Sequence, residues 1–177
     1  MNSLDAMIDA AAKAHGLPAG IVAAIVQVES SANTFAARYE PDYPYLWNVS
    51  TGKAYRVRPA ERSLDRAPAD FSAPRGVSVH TEWISQQTSY GLMQVMGAVA
   101  RELGFAWPFL TQLCDPSVGM EFGCRLLAKL KRTYLAKYGW EGVLRGYNGG
   151  PGAVVNVTNP EYPAKIKAAM GGAPWPV

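Results

Sequence analysis

The sequence is poor in the features that define several protein classes. It has two cysteines and two histidines among 177 residues, which excludes a disulfide-stapled scaffold and leaves no pattern of metal ligands. No run of 18 or more apolar residues appears, so the sequence predicts no membrane-spanning helix. Basic residues exceed acidic ones by only three charges, and no basic stripe typical of nucleic-acid binding is present. We therefore expect no metal, no organic cofactor and no nucleic-acid partner.

The chain does contain enough apolar residues to build a core. Hydrophobic residues make up 49% and charged residues 18% of the sequence, the balance of an ordinary globular protein. The length fits one domain, and we expect residues 1–177 to form a single, monomeric domain. The N-terminal segment carries Asp5, Asp9 and Lys13 inside its apolar pattern. An export signal has a basic start and an unbroken apolar stretch, so none is predicted.

Apolar residues at helical spacing predict a mostly α-helical fold. The pattern predicts helices over 3–15, 18–30, 90–104, 118–139, 140–147 and 159–170. Ser89 is predicted to cap the helix over 90–104, and Asp115 the helix that starts at Pro116. Residues 36–88 are rich in proline and lose the helical period, which predicts a long irregular insertion with short strands around 77–83. Cys114 and Cys124 are separated by roughly 13 Å of helix, so no disulfide is predicted between them.

Glu29 ends a helix that is otherwise apolar. The helix dipole disfavours negative charge at a C-terminus, and packing against an apolar wall raises the pKa of a carboxyl group. Both effects favour the protonated form, which a general acid near neutral pH requires. The alternative is an ordinary charged residue at a helix end.

Two further segments place polar side chains beside apolar residues and glycines. Gln94 lies in SYGLMQVM (89–96), where we expect it at the start of a helix. Tyr147 and Asn148 precede a glycine-rich turn in GYNGGPGAV (146–154). Each segment alone is also consistent with a structural role. Gln94 would then be a polar residue on the solvent-facing side of a helix, and Tyr147 and Asn148 a packed tyrosine and an Asn-Gly helix end.

In order along the chain, VQVESS, SYGLMQVM and GYNGGPGAV resemble the catalytic domain of the soluble lytic transglycosylases. That family shares a lysozyme-like fold with the goose-type lysozymes and has an ES, a GLMQ and an AYNAGPG motif. The resemblance covers roughly residues 15–35 and 85–170. It implies a lysozyme-like α-helical domain, into which residues 36–88 are inserted between the helix of the catalytic glutamate and the GLMQ helix.

The resemblance also implies an activity. The family cleaves the β-1,4 bond between N-acetylmuramic acid and N-acetylglucosamine in peptidoglycan and leaves a 1,6-anhydromuramoyl end. Glu29 matches the family's single catalytic acid/base. The substrate contacts that the resemblance implies are Gln94, Met96, Tyr147, Asn148 and a serine, with both Ser89 and Ser85 as candidates.

The insertion departs from the family pattern and leaves two questions open. It begins with ARYEPDYPYLW, whose aromatic rings suit stacking on sugars or, alternatively, clasping the insertion to the core. It also holds four acidic residues that are candidates for a second acid that positions a water or, alternatively, are solvated or salt-bridged residues: Glu40, Asp42, Asp70 and Glu82. Glu40 is the first candidate, because Arg38 and Tyr39 are placed to orient it. A basic wall for peptide-stem carboxylates or, alternatively, a solvated surface is predicted from four residues: Arg101, Lys129, Lys131 and Arg132.

Three functions therefore compete. The first is a lytic transglycosylase, the second a hydrolytic muramidase like the goose-type lysozymes, and the third a non-catalytic wall-binding module. In each case we expect the protein to act at the cell wall, in the periplasm or from a phage particle. The sequence is compatible with a phage lysis or tail enzyme, a plasmid-transfer enzyme or a bacterial housekeeping enzyme.

Overall fold

The computed structural model describes residues 3–62 and 66–176, and helices dominate it. The α-helices are α1 (Ser3–Ala14), α2 (Ala19–Ser30), α3 (Val79–Gln86), α4 (Gly97–Glu102), α5 (Pro116–Asn156) and α6 (Glu161–Ala169). The strands are β1 (Ala37–Tyr39), β2 (Tyr45–Asn48), β3 (Lys53–Arg56), β4 (Thr88–Tyr90) and β5 (Val95–Met96). The predicted, mostly α fold class is confirmed. The chain forms two compact units, the first from residues before 33 and after 122, the second from residues 33–122.

Helix α2 lies at the centre of the first unit. Its residues Ile21, Val22 and Ile25 have no exposed surface, as predicted for a helix that is apolar nearly all round. Both α1 and α6 pack against it. None of the helices among the described residues is long and apolar enough to span a membrane.

Helix α5 is interrupted at two glycines. Gly139 and Gly150 have φ values of 61° and 71°, in the left-handed region that glycine adopts without steric cost. The first interruption falls at the predicted end of the helix over 118–139. The second follows Tyr147 and Asn148, so the chain turns directly after these two residues, and Pro151 begins the last helical stretch.

The start of α5 is capped as predicted. The Asp115 carboxylate accepts hydrogen bonds from the backbone N–H groups of Ser117 and Val118, at 2.9 and 3.2 Å. The Ser117 hydroxyl also donates to this carboxylate, and this bond is the largest cause of a lowered Asp115 pKa. The two backbone bonds lower the pKa further. Neither Cys114 nor Cys124 forms a disulfide, which also agrees with the prediction.

The second unit contains two small antiparallel sheets. One has the strand order β1-β4-β5, and the other is the β2–β3 hairpin. In the three-stranded sheet Arg38 lies opposite Ser89, and Ser89 lies opposite Met96. The described part of residues 36–88 therefore carries β1, β2, β3 and helix α3, and is more regular than the predicted irregular insertion.

The prediction of strands around 77–83 is wrong, because that segment begins helix α3. The Ser78 hydroxyl accepts a hydrogen bond from the Thr81 backbone N–H at 3.0 Å and so caps the helix. Glu82, Trp83 and Gln86 are buried on one face at spacings of three and four residues. The cap and this buried face outweigh the strand propensity of the two valines.

The helix predicted over 90–104 is correct only in its second half. Residues 91–94 form a turn between β4 and β5, and α4 begins at Gly97. Gly91 has a φ of 72°, and a Cβ atom there would lie 2.3 Å from the Leu113 carbonyl oxygen. Ser89 is consequently a strand residue and does not cap a helix.

Rings from the insertion, including Trp83 of its helix α3, form a buried core cluster in the second unit. The buried cluster comprises Leu46, Val57, Phe71, Trp83 and Ala98. Phe71 and Trp83 pack edge to face, with ring centroids 5.1 Å apart. Tyr43 and Tyr55 pack against the same cluster. The core therefore depends on the insertion.

A buried ion pair fixes the loop that follows α4. Arg101 binds the Glu82 carboxylate with two hydrogen bonds of 2.7 and 2.8 Å. Its remaining N–H groups donate to the backbone carbonyls of Phe105, Trp107 and Pro108. All five donors of the guanidinium are thereby used. The interpretations of Arg101 as part of a basic wall or solvated surface, and of Glu82 as a second acid, are therefore wrong.

Candidate active site

In the first unit, Glu29 lies in the last turn of α2 and receives a hydrogen bond from α6. The Tyr162 hydroxyl donates to Glu29 Oε1 at 2.5 Å. Directly after Glu29 the chain leaves the helix, since Ser31 has a φ of 49° and its N–H bonds to the Gln27 carbonyl. The helix end and the α6 tyrosine together fix the half-buried carboxyl group.

The negative charge of the Glu29 carboxylate acts on two nearby tyrosines, Tyr147 and Tyr162. Burial and then the negative charge of Glu29 raise the pKa of Tyr147 well above its ordinary value, and the same two causes raise the pKa of Tyr162. Both phenols therefore stay protonated at neutral pH and remain hydrogen-bond donors. The first unit thus brings together Glu29 and Tyr147, two of the residues predicted from the sequence.

Asn148 lies next to this group, on the surface before the break at Gly150. Its Oδ1 accepts a hydrogen bond of 2.5 Å from Asn159 Nδ2, in the turn that precedes α6. That bond orients the Asn148 amide and leaves its own Nδ2 hydrogens for another acceptor. The geometry is compatible with the predicted contact to substrate.

In the second unit, Ser89 and Met96 lie side by side on one face of the three-stranded sheet. Directly paired residues of antiparallel strands share a face, so the register places Arg38, Ser89 and Met96 in one row. Ser89 retains 7% of its surface, Met96 is half-buried and Arg38 is exposed. We call Arg38, Ser89 and Met96 the sheet row.

Gln94 joins the same region from the β4–β5 turn. Its Oε1 accepts a hydrogen bond of 2.9 Å from the Ser89 hydroxyl. Its Nε2 donates to the carbonyls of Ala36 and Gly91, both at 3.0 Å. The predicted residues Ser89, Gln94 and Met96 are thus neighbours, although Gln94 does not project from a helix as expected.

The two secondary candidates have different surroundings. Ser85, on α3, is hydrogen-bonded to Tyr90, whereas Ser89 bonds to Gln94, so the two serines are structurally distinct. Glu40 forms an ion pair of 2.7 Å with Arg38. Because Arg38 belongs to the sheet row, this ion pair places the Glu40 carboxylate beside that row.

The aromatic residues of ARYEPDYPYLW have different surroundings. Tyr43 packs against the core, as expected for a clasp. Tyr39 and Tyr45 are exposed, and the Arg56 guanidinium lies 5.6 Å from the centre of the Tyr45 ring. Among the described residues, no group of three or more His, Cys, Asp or Glu side chains could hold a metal ion.

Tyr162 is not among the predicted site residues, and Arg38 is predicted only as a residue that orients Glu40, in agreement with their 2.7 Å ion pair. Tyr162 lies in PEYPAKI, near the start of a predicted helix, but a lone tyrosine there gives no sign of a distant carboxyl partner. Arg38 reaches the sheet row through strand register, which depends on the pairing of β1 with β4 and sets Arg38 opposite Ser89. No local sequence pattern reports that pairing.

Comparison with known proteins assigns the chain to a family. No curated protein matches it. A family model described as transglycosylase SLT domain matches residues 74–170, more than half of the chain and including the sheet row from Ser89 onward, Tyr147 and Tyr162. Glu29 and Arg38 precede the matched residues. The chain therefore belongs to the transglycosylase SLT domain family, a family of lysozyme-like fold whose substrate is peptidoglycan.

Proposed function

We propose that this protein is a peptidoglycan lytic transglycosylase in which Glu29 is the single acid/base. The observation that carries the proposal is the placement of the Glu29 carboxyl group at a helix end, within hydrogen-bond reach of the Tyr162 hydroxyl. The reaction would cleave the bond between N-acetylmuramic acid and N-acetylglucosamine. Its product would be a 1,6-anhydromuramoyl end.

The proposed reaction has two proton transfers through one carboxyl group. Protonated Glu29 gives its proton to the glycosidic oxygen, and the bond from that oxygen to the muramoyl C1 breaks. The resulting Glu29 carboxylate then takes the proton of the muramoyl C6 hydroxyl, whose oxygen forms a bond to C1. No water is consumed, and Glu29 ends protonated as it began. The substrate's N-acetyl group would assist at C1, as in substrate-assisted glycosidases that lack a protein nucleophile.

Tyr162 would stabilise the Glu29 carboxylate that forms between the two proton transfers. A donor to the charged form of a carboxyl group stabilises that form, and Tyr162 donates to Glu29 Oε1. The carboxylate exists only between the two proton transfers. Tyr162 would therefore stabilise the state in which Glu29 has given up its proton.

Within each unit taken by itself, we assign polar and apolar side chains to glycan contact. In the first unit we assign Tyr147 and Asn148, and in the second Ser89, Gln94 and Met96. The protonated Tyr147 phenol and the Asn148 Nδ2 would donate to acetamido or hydroxyl oxygens of the sugar. The protein would act at the cell wall. It would reach the wall in the periplasm or from a phage particle.

Peptidoglycan cleavage by matched carboxyl variants tests the proposal. Glu29→Gln should lower the rate of release of soluble glycan by about 100- to 10,000-fold, the usual contribution of a general acid. Glu161→Gln removes an exposed carboxylate at the start of α6 and should leave the rate unchanged. Cleavage by Glu29→Gln at the parental rate would contradict the proposal and favour a different catalytic group.

A further inference from the structure

Gln94 uses both of its side-chain donors inside the protein. Nε2 bonds to the carbonyl oxygens of Ala36 and Gly91, each at 3.0 Å. A glutamine amide carries two donor hydrogens, so none remains for a sugar. The two carbonyl partners also fix which end of the amide is nitrogen, since an oxygen in that place would face two other acceptors.

The backbone of Gln94 has an uncommon conformation. Its φ is 47°, in the left-handed region that few residues other than glycine, asparagine and aspartate occupy. Its N–H closes the β4–β5 turn on the Gly91 carbonyl at 3.2 Å. From this position the side chain reaches back to Ala36, which immediately precedes β1. Gln94 thereby ties β1 to the turn that leads into β5.

The same amide sets the direction of the Ser89 hydroxyl. The partners of Ser89 Oγ are two acceptors, namely Gln94 Oε1 at 2.9 Å and the Arg38 carbonyl at 3.4 Å. The single hydroxyl proton is therefore directed into the protein. The oxygen lone pairs of Ser89 stay available on the face of the sheet row.

We propose that Gln94 is a positioning residue for glycan binding that acts through Ser89 and strand β1 and donates no hydrogen bond to the sugar. Ser89 Oγ then accepts a hydrogen bond from a sugar hydroxyl or acetamido N–H. This inference rests on the proposed function, because it takes the glycan strand as the ligand of the sheet row.

A double-mutant cycle measured by binding tests the inference without turnover. Every variant carries Glu29→Gln, and the probe is purified peptidoglycan sacculi, with the bound protein fraction measured against sacculus concentration. Gln94→Met, which keeps the length of the side chain, and Ser89→Ala should each weaken binding about tenfold, as expected for one lost hydrogen bond. The double variant should bind no more weakly than Gln94→Met, because the two residues act as one unit. A hundredfold loss in the double variant, or no binding by the Glu29→Gln parent, would overturn the inference.

Two further measurements separate positioning from loss of structure. Gln94→Asn suits the left-handed backbone but is one methylene too short to keep all three bonds, so it should bind as weakly as Gln94→Met. Parental binding by Gln94→Asn would contradict a role of the amide.

With Glu29 intact, Gln94→Met should raise KM by a larger factor than it lowers kcat. Thermal unfolding of each variant shows that the fold remains. Failure of the proposed function would appear separately, as the absence of anhydro ends among the products of the parent.

Discussion

The Tyr162 hydroxyl donates a 2.5 Å hydrogen bond to Glu29 Oε1 and so joins the last turn of α2 to the first turn of α6. The two residues are separated by 133 positions in the sequence. The bond gives a carboxyl group at a helix C-terminus a fixed donor, in a place where the helix dipole alone would disfavour its charge. The pair is the geometric basis for assigning Glu29 as the acid/base.

Tyr162→Phe should slow the reaction and move its pH dependence. Without the phenol, the carboxylate loses a donor that stabilises its charged form, so the alkaline limb of the pH–rate profile should shift to higher pH. We expect kcat to fall about tenfold, the value of one hydrogen bond to a charged group. Tyr134→Phe, on α5, is the matched control and should keep the parental profile. A shift to lower pH would contradict the assigned donor direction.

Arg101→Met should destabilise the protein by about 3–5 kcal/mol, because it leaves the buried Glu82 carboxylate without its cation. Replacing both partners, as Glu82→Leu with Arg101→Met, should cost less than the sum of the single changes, since no buried charge is then left unpaired. Urea unfolding measures each value. Arg132→Met alters an exposed arginine and should stay within about 0.5 kcal/mol. Additive losses in the double variant would show that the pair is not coupled.

Asp115→Ala should lower the free energy of unfolding by about 1 kcal/mol at pH 7, the usual value of an N-cap. The capping bonds lower the pKa of Asp115 from 3.8, so the charge-dependent stabilisation is present above pH 3.8 and is lost as the pH falls below it. The difference in unfolding free energy between the parent and Asp115→Ala should therefore become smaller from pH 7 to pH 3. Asp115→Asn keeps a capping side chain and should show a smaller pH dependence. A gap that widens in acid would refute the cap.

Gly91→Ala should cost more stability than Gly104→Ala, although both glycines have positive φ values, 72° and 91°. The left-handed conformation alone costs an alanine about 1–2 kcal/mol. At Gly91 a Cβ atom would also lie 2.3 Å from the Leu113 carbonyl oxygen, whereas none of the described atoms lies within 4 Å at Gly104. The difference between the unfolding free energies of the two variants, measured with urea, gives the cost of placing a Cβ atom against the Leu113 carbonyl oxygen. Equal losses would mean that the β4–β5 turn moves freely.

The sequence predicts those parts of the fold that depend on local pattern. The burial of α2, the Asp115 cap and the end of a helix at Gly139 follow from apolar spacing, capping chemistry and glycine, each of which acts within a few residues. The helix expected at GLMQ fails because Gly91 and Gln94 adopt positive φ values, stabilised by bonds to Ala36 and by the close approach of Leu113.

The site was predictable to the extent that it lies in compact motifs. Glu29, Tyr147 and Ser89 stand in short segments that resemble a family pattern, and the family match supports that resemblance from residue 74 onward. Tyr162 and Arg38 depend on helix packing and strand register between distant segments. Those contacts arise from tertiary structure, which overrides local propensity and leaves no periodic signal.

The mass of the glycan ends released from purified peptidoglycan tests the central claim most directly. The digest should be run with the parent, with Glu29→Gln, and with Glu40→Gln, whose carboxyl group is the candidate for positioning a water. The account predicts ends one water lighter than a reducing muramic acid from the parent and from Glu40→Gln, and hardly any product from Glu29→Gln. Reducing ends from the parent, lost in Glu40→Gln, would contradict a single-carboxylate transglycosylase and identify a hydrolase.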